Sequence, residues 1–545
     1  MAERLLTIRN LVIEGFADEH WRPIVQSIDL HVDRGEVLGL IGESGAGKST
    51  VGLAAMHYSR NGCRIVDGSI MFDGLALHAL PEAEVRKLRG ARIAYVAQSA
   101  AASFNPAHRI LAQCTEPSIQ HGQLSVIDAR QYVKDLYAQL ALPQAETIGN
   151  RYPHQVSGGQ LQRAMVAMAM SSRPDLIVFD EPTTALDVTT QIEVLAAIKK
   201  IVRLHNTAAM YISHDLAVVA QLADRIMVLR QGHLIEEGRA EDILTQPQED
   251  YTRHLVSTWR RQESAEARRN TPVVLQCQNI SASYVPGTRV VEEINFTLQR
   301  GKTVAVVGES GSGKSTLARV VTGLLPALEG LIIFDGQTIP ASYKERSRET
   351  LRRLQLIYQM PDVALNPRHT IRQVLGRPLK FYFGLKGQEQ EKRMAELLNM
   401  IELPAEFANR YTTELSGGQK QRVCIARALA AQPDIIICDE VTSALDPLVA
   451  EGILQLLTRL QDTLGVAYLF ITHDLTVVKA IADEILVMYQ GRIVEQGPAE
   501  EVLTPPQHAY TERLLSSVPE LDPRWLDGVL EERQRSEEGG RKHEP

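Results

Sequence analysis

Val37-Leu38-Gly39-Leu40-Ile41-Gly42-Glu43-Ser44-Gly45-Ala46-Gly47-Lys48-Ser49-Thr50 decides the reading of this 545-residue chain. An apolar run feeds a glycine-rich turn that closes on Lys-Ser. The same order returns in Val304-Ala305-Val306-Val307-Gly308-Glu309-Ser310-Gly311-Ser312-Gly313-Lys314-Ser315-Thr316. At average residue frequencies about 0.02 chance matches to G-x-x-x-x-G-K-[ST] are expected in a chain this long. Here there are two.

Working outward, other landmarks repeat. Lys48 and Lys314 stand 266 positions apart, and Gln98 and Gln359 stand 261 apart. Ser157 and Ser416, the pairs Asp180-Glu181 and Asp439-Glu440, and His214 and His473 are all separated by 259. The drift from 266 to 259 places small deletions in the first third of the second copy. A period this long means duplicated domains, not a solenoid. The copies are expected at 5–256 and 273–517. The charged stretch 257–272 reads as a linker and 518–545 as a partly disordered C-terminal tail.

Composition bounds the rest. The apolar share is 44% and the charged share 23%, which excludes wholesale disorder, collagen and a disulfide scaffold. A net charge of −8 does not favour nucleic acid as the main partner. The five cysteines form no C-x-x-C pair and read as reduced, mostly buried thiols. No stretch reaches 18 uninterrupted apolar residues, so no membrane span is expected. Charges break the N-terminus too often for a signal peptide.

Short apolar runs ending in polar residues alternate with helical patterns in each copy. Leu176 to Phe179 and Ile435 to Cys438 end in acids, and Ala209 to Ile212 and Tyr468 to Ile471 end at histidines. This is the pattern of an α/β parallel sheet with ligands at its carboxyl edge. A glycine loop between strand and helix presents backbone N–H groups to phosphate oxygens. Its expected contacts are Gly42, Ser44, Gly45, Gly47, Lys48, Ser49 and Thr50, and Gly308, Ser310, Gly311, Gly313, Lys314, Ser315 and Thr316. The lysines would reach the β- and γ-phosphates. Ser49 and Ser315, with Asp180 and Asp439, would hold Mg²⁺. Glu181 and Glu440 would polarise an attacking water, and His214 and His473 would sense the γ-phosphate. Gln98 and Gln359 end strands and can bond water or Mg²⁺. Tyr284 would stack on an adenine ring in the second copy, and Phe16 or Trp21 in the first.

Val156-Ser157-Gly158-Gly159-Gln160 and Leu415-Ser416-Gly417-Gly418-Gln419 complete the set. Together with Thr184-Ala185-Leu186-Asp187 and Ser443-Ala444-Leu445-Asp446, they make the chain resemble a tandem ABC-type ATPase over roughly 5–256 and 273–517. Val156 replaces the usual leucine. The resemblance implies two P-loop domains, each with a core sheet subdomain and a helical signature subdomain. It implies two ATP molecules between the copies. Lys48, Gln98, Glu181 and His214 would then share a site with Ser416, Gly417 and Gly418, and Lys314, Gln359, Glu440 and His473 one with Ser157, Gly158 and Gly159. Since no catalytic position is degraded in either copy, both sites are expected to hydrolyse.

A narrower resemblance is to the ATPases of dipeptide, oligopeptide and nickel importers. It rests on Asn105-Pro106 and Asn366-Pro367, each Asn seven residues after the loop glutamine, on Tyr152-Pro153-His154, and on Pro-Gln-x-x-Tyr-Thr at 247–252 and 506–511. Asp250 and Ala509 stand where that family often has proline. No cysteine follows Cys438, so the family's occasional iron–sulfur cluster is not expected. The resemblance implies two integral membrane permease subunits, an extracytoplasmic solute-binding protein, and a peripheral place on the cytoplasmic face of the inner membrane. Peptides, nickel complexes, glutathione-like thiols and opine-like compounds all stay open as cargo. The alternative is an ABC-F-type translation factor at the ribosome, but the linker of about sixteen residues is short for the long charged helical connection of that class. Finally, Ser103-Phe104 and Ala364-Leu365 are expected to line a shallow groove that receives a permease helix, with Asn-Pro as a structural turn the competing explanation.

Overall fold

Leu176–Asp180, Ala208–Ile212 and Val37–Gly42 are buried along their whole lengths. Strands buried on both faces belong inside a parallel sheet, and helices must cover it. The computed structural model describes residues 3–17, 19–184, 186–260, 271–285, 287–443, 445–505 and 507–531. The described residues divide into two compact units, those of 3–260 with 519–531, and those of 271–518.

In the first unit the main sheet has six strands in the order His233–Arg239, Arg225–Arg230, Val37–Gly42, Ala208–Ile212, Leu176–Asp180, Ile93–Val96. All neighbours are parallel except the edge pair His233–Arg239 and Arg225–Arg230. A second, antiparallel sheet runs His20–Asp33, Arg4–Ala17, Cys63–Phe72, Leu75–Ala76. Ile8, Leu30, Val51, Ile70, Val178 and Met210 join the two layers in one apolar core. The helices Ile110–Gln120, Val126–Gln139 and Gly158–Met170 form a separate layer, with Cys114, Val133, Leu136 and Met165 buried among them. Ser125 and Ser157 cap two of these helices by accepting from the N–H groups of Asp128 and Gln160.

The second unit repeats this design. Its main sheet runs Leu354–Ile357, Ile435–Asp439, Ala467–Ile471, Thr303–Val307, Glu484–Tyr489, Arg492–Pro498. Its smaller sheet runs Val291–Gln299, Val273–Ala282, Glu329–Phe334, Gln337–Ile339. The helices Ile371–Phe383, Gly387–Met400 and Gly417–Leu429 bury Leu375, Leu397 and Ile425. No helix among the described residues is long and apolar enough to cross a membrane. All five cysteines are free, and only Cys63 is not fully buried.

The chain does not finish where the second copy finishes. Residues 519–531, part of the stretch expected as a tail, belong to the first unit. The Gln221 amide donates to the carbonyls of Glu520 (2.7 Å) and Asp522 (3.0 Å) and accepts from the Leu526 N–H (3.0 Å). Lys199 pairs with Asp527 at 2.8 Å, and Leu526 is wholly buried. In the second unit the position matching Gln221 is Ala480, which is exposed. Residues 532–545 and most of the expected linker, 261–270, lie outside the described residues.

Candidate active site

Each glycine loop leaves its strand and turns into a helix at Lys48 or Lys314. Gly42 could not be another residue: a Cβ there would lie 2.0 Å from the Leu229 carbonyl oxygen, and at Gly308 2.2 Å from that of Met488. Gly45 and Gly311 face open space and lie at the exposed tip of the loop beside Ser44 and Ser310. Lys48 folds back across its loop, its Nζ donating to the carbonyls of Gly42 (2.7 Å) and Glu43 (2.9 Å). Lys314 does the same with Gly308 and Glu309, both at 2.8 Å. Both lysines are buried. Each helix thus starts on a ring of backbone with a cation folded over it, which suits a phosphate chain.

Ser49 Oγ donates to Asp180 at 2.7 Å, and Ser315 Oγ to Asp439 at 3.0 Å. A hydroxyl and a carboxylate are hard oxygen donors, the type Mg²⁺ takes alongside phosphate oxygens and water. No group of three or more histidines, cysteines or acids is arranged to hold a metal among the described residues. One hydroxyl and one carboxylate would hold such a cation only together with ligands from outside the chain. Burial and then the neighbouring Glu440 carboxylate push Asp439 above the usual carboxylate range.

The next residues, Glu181 and Glu440, have φ of 49° and 51°. Their N–H groups are held by the carbonyls of Ile212 and Ile471, both at 2.9 Å. That turn aims each carboxylate at three partners or fewer. Gln98 Nε2 lies 3.0 Å from Glu181, and His214 Nδ1 3.2 Å from it. Gln359 Nε2 lies 2.5 Å from Glu440, and His473 Nδ1 3.3 Å from it. Burial raises both glutamates, yet the histidine hydrogen bond and charge and the nearby lysine outweigh it, so both sit below the usual range. Burial likewise lowers both histidines, and the glutamates with Asp215 or Asp474 more than reverse it. A carboxylate kept ionised, oriented on both oxygens and set beside a phosphate loop can order and polarise a water.

The signature residues behave differently. Ser157 and Ser416 are exposed, and each caps the helix that follows through a reciprocal bond with Gln160 or Gln419. Gly158 and Gly417 are exposed beside them. Gly159 and Gly418 are tight: a Cβ would meet Thr190 Cγ2 at 2.2 Å and Val449 Cγ1 at 2.5 Å. Asp187 and Asp446 cap the helices that carry Thr190 and Val449. Ala185 and Ala444 lie outside the described residues.

Comparison with known proteins decides what this duplicated arrangement is. The family model described as ABC transporter matches residues 25–184 and 291–443. The chain belongs to the ABC transporter family. The model described as oligopeptide/dipeptide transporter, C-terminal region, matches 494–542. The glutathione import ATP-binding protein GsiA of Escherichia coli O157:H7 is 38% identical over 96% of this chain and 90% of its own length. That of Pectobacterium atrosepticum is 37% identical over the same shares. A solved structure, that of cbiO1 from Clostridium perfringens, part of the ABC transporter complex cbiONQ, is 32% identical over 42% of this chain and 90% of its own, with a TM-score of 0.38. The protein is a nucleotide-binding ABC ATPase, the ATPase subunit of an importer and not an ABC-F-type translation factor. The importer family works with permease partners.

This ABC ATPase also holds site residues that the sequence reading passed over. Tyr95 donates its hydroxyl to Asp180 at 2.5 Å, and Arg60 lies 3.6 Å from the same oxygen. A tyrosine in the strand Ile93–Val96 was the available signal. Thr184 Oγ1 donates to Glu181 at 3.1 Å. The Tyr510 hydroxyl accepts from the Glu309 N–H at 2.9 Å, so the tyrosine of the second Pro-Gln-x-x-Tyr-Thr segment supports the glycine loop.

The aromatic positions divide. The Tyr284 ring is half-exposed and its hydroxyl receives Arg319 at 2.9 Å, beside Thr316 at 3.4 Å. Phe16 and Trp21 face each other across a hairpin with ring centroids 5.3 Å apart, and Arg64 covers Trp21 at 4.1 Å.

One expectation needs correction. Phe104 and Leu365 are buried, at 3% and 4% exposure, and line no groove. Asn105 and Asn366 close turns instead, accepting from the N–H groups of Ala107 and Arg368. The exposed apolar side chains after Gln359 are Met360 and Val363.

Proposed function

We propose that this subunit binds Mg²⁺·ATP at two composite sites and couples its hydrolysis to uptake of a peptide or a small peptide-like thiol such as glutathione. Each site takes its glycine loop, acids, glutamine and histidine from one copy and its signature serine and glycines from the other. The observation that carries this reading is the doubled constellation: lysine over the loop, serine on aspartate, and glutamate held by glutamine and histidine, all present in both units. The glutathione import relatives support this choice of cargo class. We place the subunit at the cytoplasmic face of the membrane, with two permeases and an extracytoplasmic solute-binding protein as its partners.

In the chemistry proposed, the loop amides and Lys48 or Lys314 bind the phosphates, and Mg²⁺, when bound, would supply charge neutralisation there. Ser49 with Asp180, and Ser315 with Asp439, would hold it. Glu181 and Glu440 orient the water through carboxylates kept ionised by His214 and His473. Gln98 and Gln359 hold the second oxygen of each glutamate and lead into the segments that face the permeases.

Glu181→Gln and Glu440→Gln keep the shape and remove the charge. Each alone is expected to lower steady-state phosphate release by about 100-fold or more while ATP binding stays. Wild-type turnover in either variant would show that site to be non-catalytic. Cosedimentation with membranes, not ribosomes, is expected for the full chain.

A further inference from the structure

The two sites are not equal at the aspartate. Strand pairing sets Tyr95 opposite Val178 in the first unit and Leu356 opposite Ile437 in the second. Val178 lies two residues before Asp180, and Ile437 two before Asp439, so Tyr95 and Leu356 occupy the same register position. Asp180 consequently has both carboxylate oxygens engaged, Oδ1 by Ser49 at 2.7 Å and Oδ2 by Tyr95 at 2.5 Å. Arg60 reaches Oδ2 to 3.6 Å from a largely exposed position, near enough to offset charge but beyond hydrogen-bond distance. Asp439 receives Ser315 at 3.0 Å, and the aliphatic Leu356 has no donor to add.

Resting on the Mg²⁺·ATP reading above, we propose that Tyr95 is a positioning residue for the divalent cation of the first site, and that the second site, with leucine in its place, binds that cation more weakly. A buried carboxylate with one oxygen fixed can present the other in one direction only. The Tyr95 hydroxyl carries its own proton and donates it to that oxygen, which fixes the direction of the carboxylate. Such outer partners orient a metal-binding carboxylate, and removing one typically lowers metal affinity 10–100-fold.

The test uses the full chain with one site disabled. Lys314→Ala leaves the first site to be read, and Lys48→Ala the second. Mn²⁺ is titrated by electron paramagnetic resonance in the presence of saturating AMP-PNP. Adding Tyr95→Phe to Lys314→Ala is expected to weaken Mn²⁺ binding about tenfold, and adding it to Lys48→Ala to change it less than twofold. The melting temperature without nucleotide serves as the check on folding. A change under twofold at the first site, or an equal loss at both, overturns the proposal. If the Lys314→Ala parent binds no AMP-PNP, the nucleotide reading fails first and takes this inference with it.

Discussion

Glu181 and Glu440 hold a backbone conformation that glutamate avoids, and both hold it at the end of a buried strand. Left-handed φ at a non-glycine residue costs about 1–3 kcal/mol and persists only where the surroundings over-determine it. Here the surroundings are a backbone bond to the neighbouring strand and a side-chain bond to a histidine. Those bonds carry a pH dependence. His214 is raised, so its share of stability is complete below its usual value of 6.5 and is lost as pH climbs through the folded value. Glu181 is depressed, so its share is present above its usual value of 4.5 and is lost as pH falls through the folded value. Lys48 opposes the histidine's charge and Asp215 supports it. The pair therefore contributes most between those limits. In nucleotide-free chain, His214→Ala should lower the melting temperature more at pH 6 than at pH 8.5. An equal drop at both would mean the pair carries no charge. These residues were visible in the sequence because each is local: an acid or histidine ending an apolar run. Tyr95 was not, since its role depends on which strand lies beside it.

At the scale of elements, the signature helices are held by contact with the helices that follow Asp187 and Asp446. Gly159→Ala should cost about 1–3 kcal/mol through overpacking, because Thr190 is β-branched and its hydroxyl is already bonded to Asp187. Thr190→Ser removes the clashing methyl and should recover most of the melting temperature lost. If the double variant is no better than the single, the contact does not limit the glycine. The segments after the loop glutamines show the opposite lesson. Apolar residues beside Asn-Pro invite assignment to a surface groove, yet Phe104 and Leu365 are buried. Alternation over four residues cannot say which side faces a helix layer built from residues 50 positions on. Val363→Asp, at 82% exposure, is expected to keep the fold and basal hydrolysis while reducing co-purification with the permeases. Leu365→Asp buries a charge and should cost several kcal/mol. Full permease retention by Val363→Asp would remove this face from the interface.

For the whole molecule, the duplication was plain from spacing, and the return of the chain to the first unit was not. Residues 519–531 mix charge with Leu521, Trp525, Leu526 and Val529, a composition that reads as tail until its partner is known. That partner, Gln221, lies about 300 positions away and becomes a buried amide only with this segment in place. Ending the chain at Val518 strips Gln221 of three hydrogen bonds and uncovers the seat of Leu526. The expected loss is on the order of 2 kcal/mol. Hydrogen exchange should then quicken at 216–222 and stay unchanged at the matching 475–481. Unchanged protection at 216–222 would show that the segment carries no load.

Because the first unit owns both the beginning of the chain and residues 519–531, the second unit is an insertion within the first, not a bead strung after it. Fragment complementation is the natural property of such a topology. A chain cut between the copies leaves the second piece still carrying a part that the first needs to finish its own surface. Joined at two points, the second unit closes a loop, and seating residues 519–531 on the first unit carries the entropy of closing it. A duplicated gene thereby becomes hard to divide again: two separate polypeptides made from its halves would inherit an unequal partition, the first short of a strap and the second carrying one with nowhere of its own to place it.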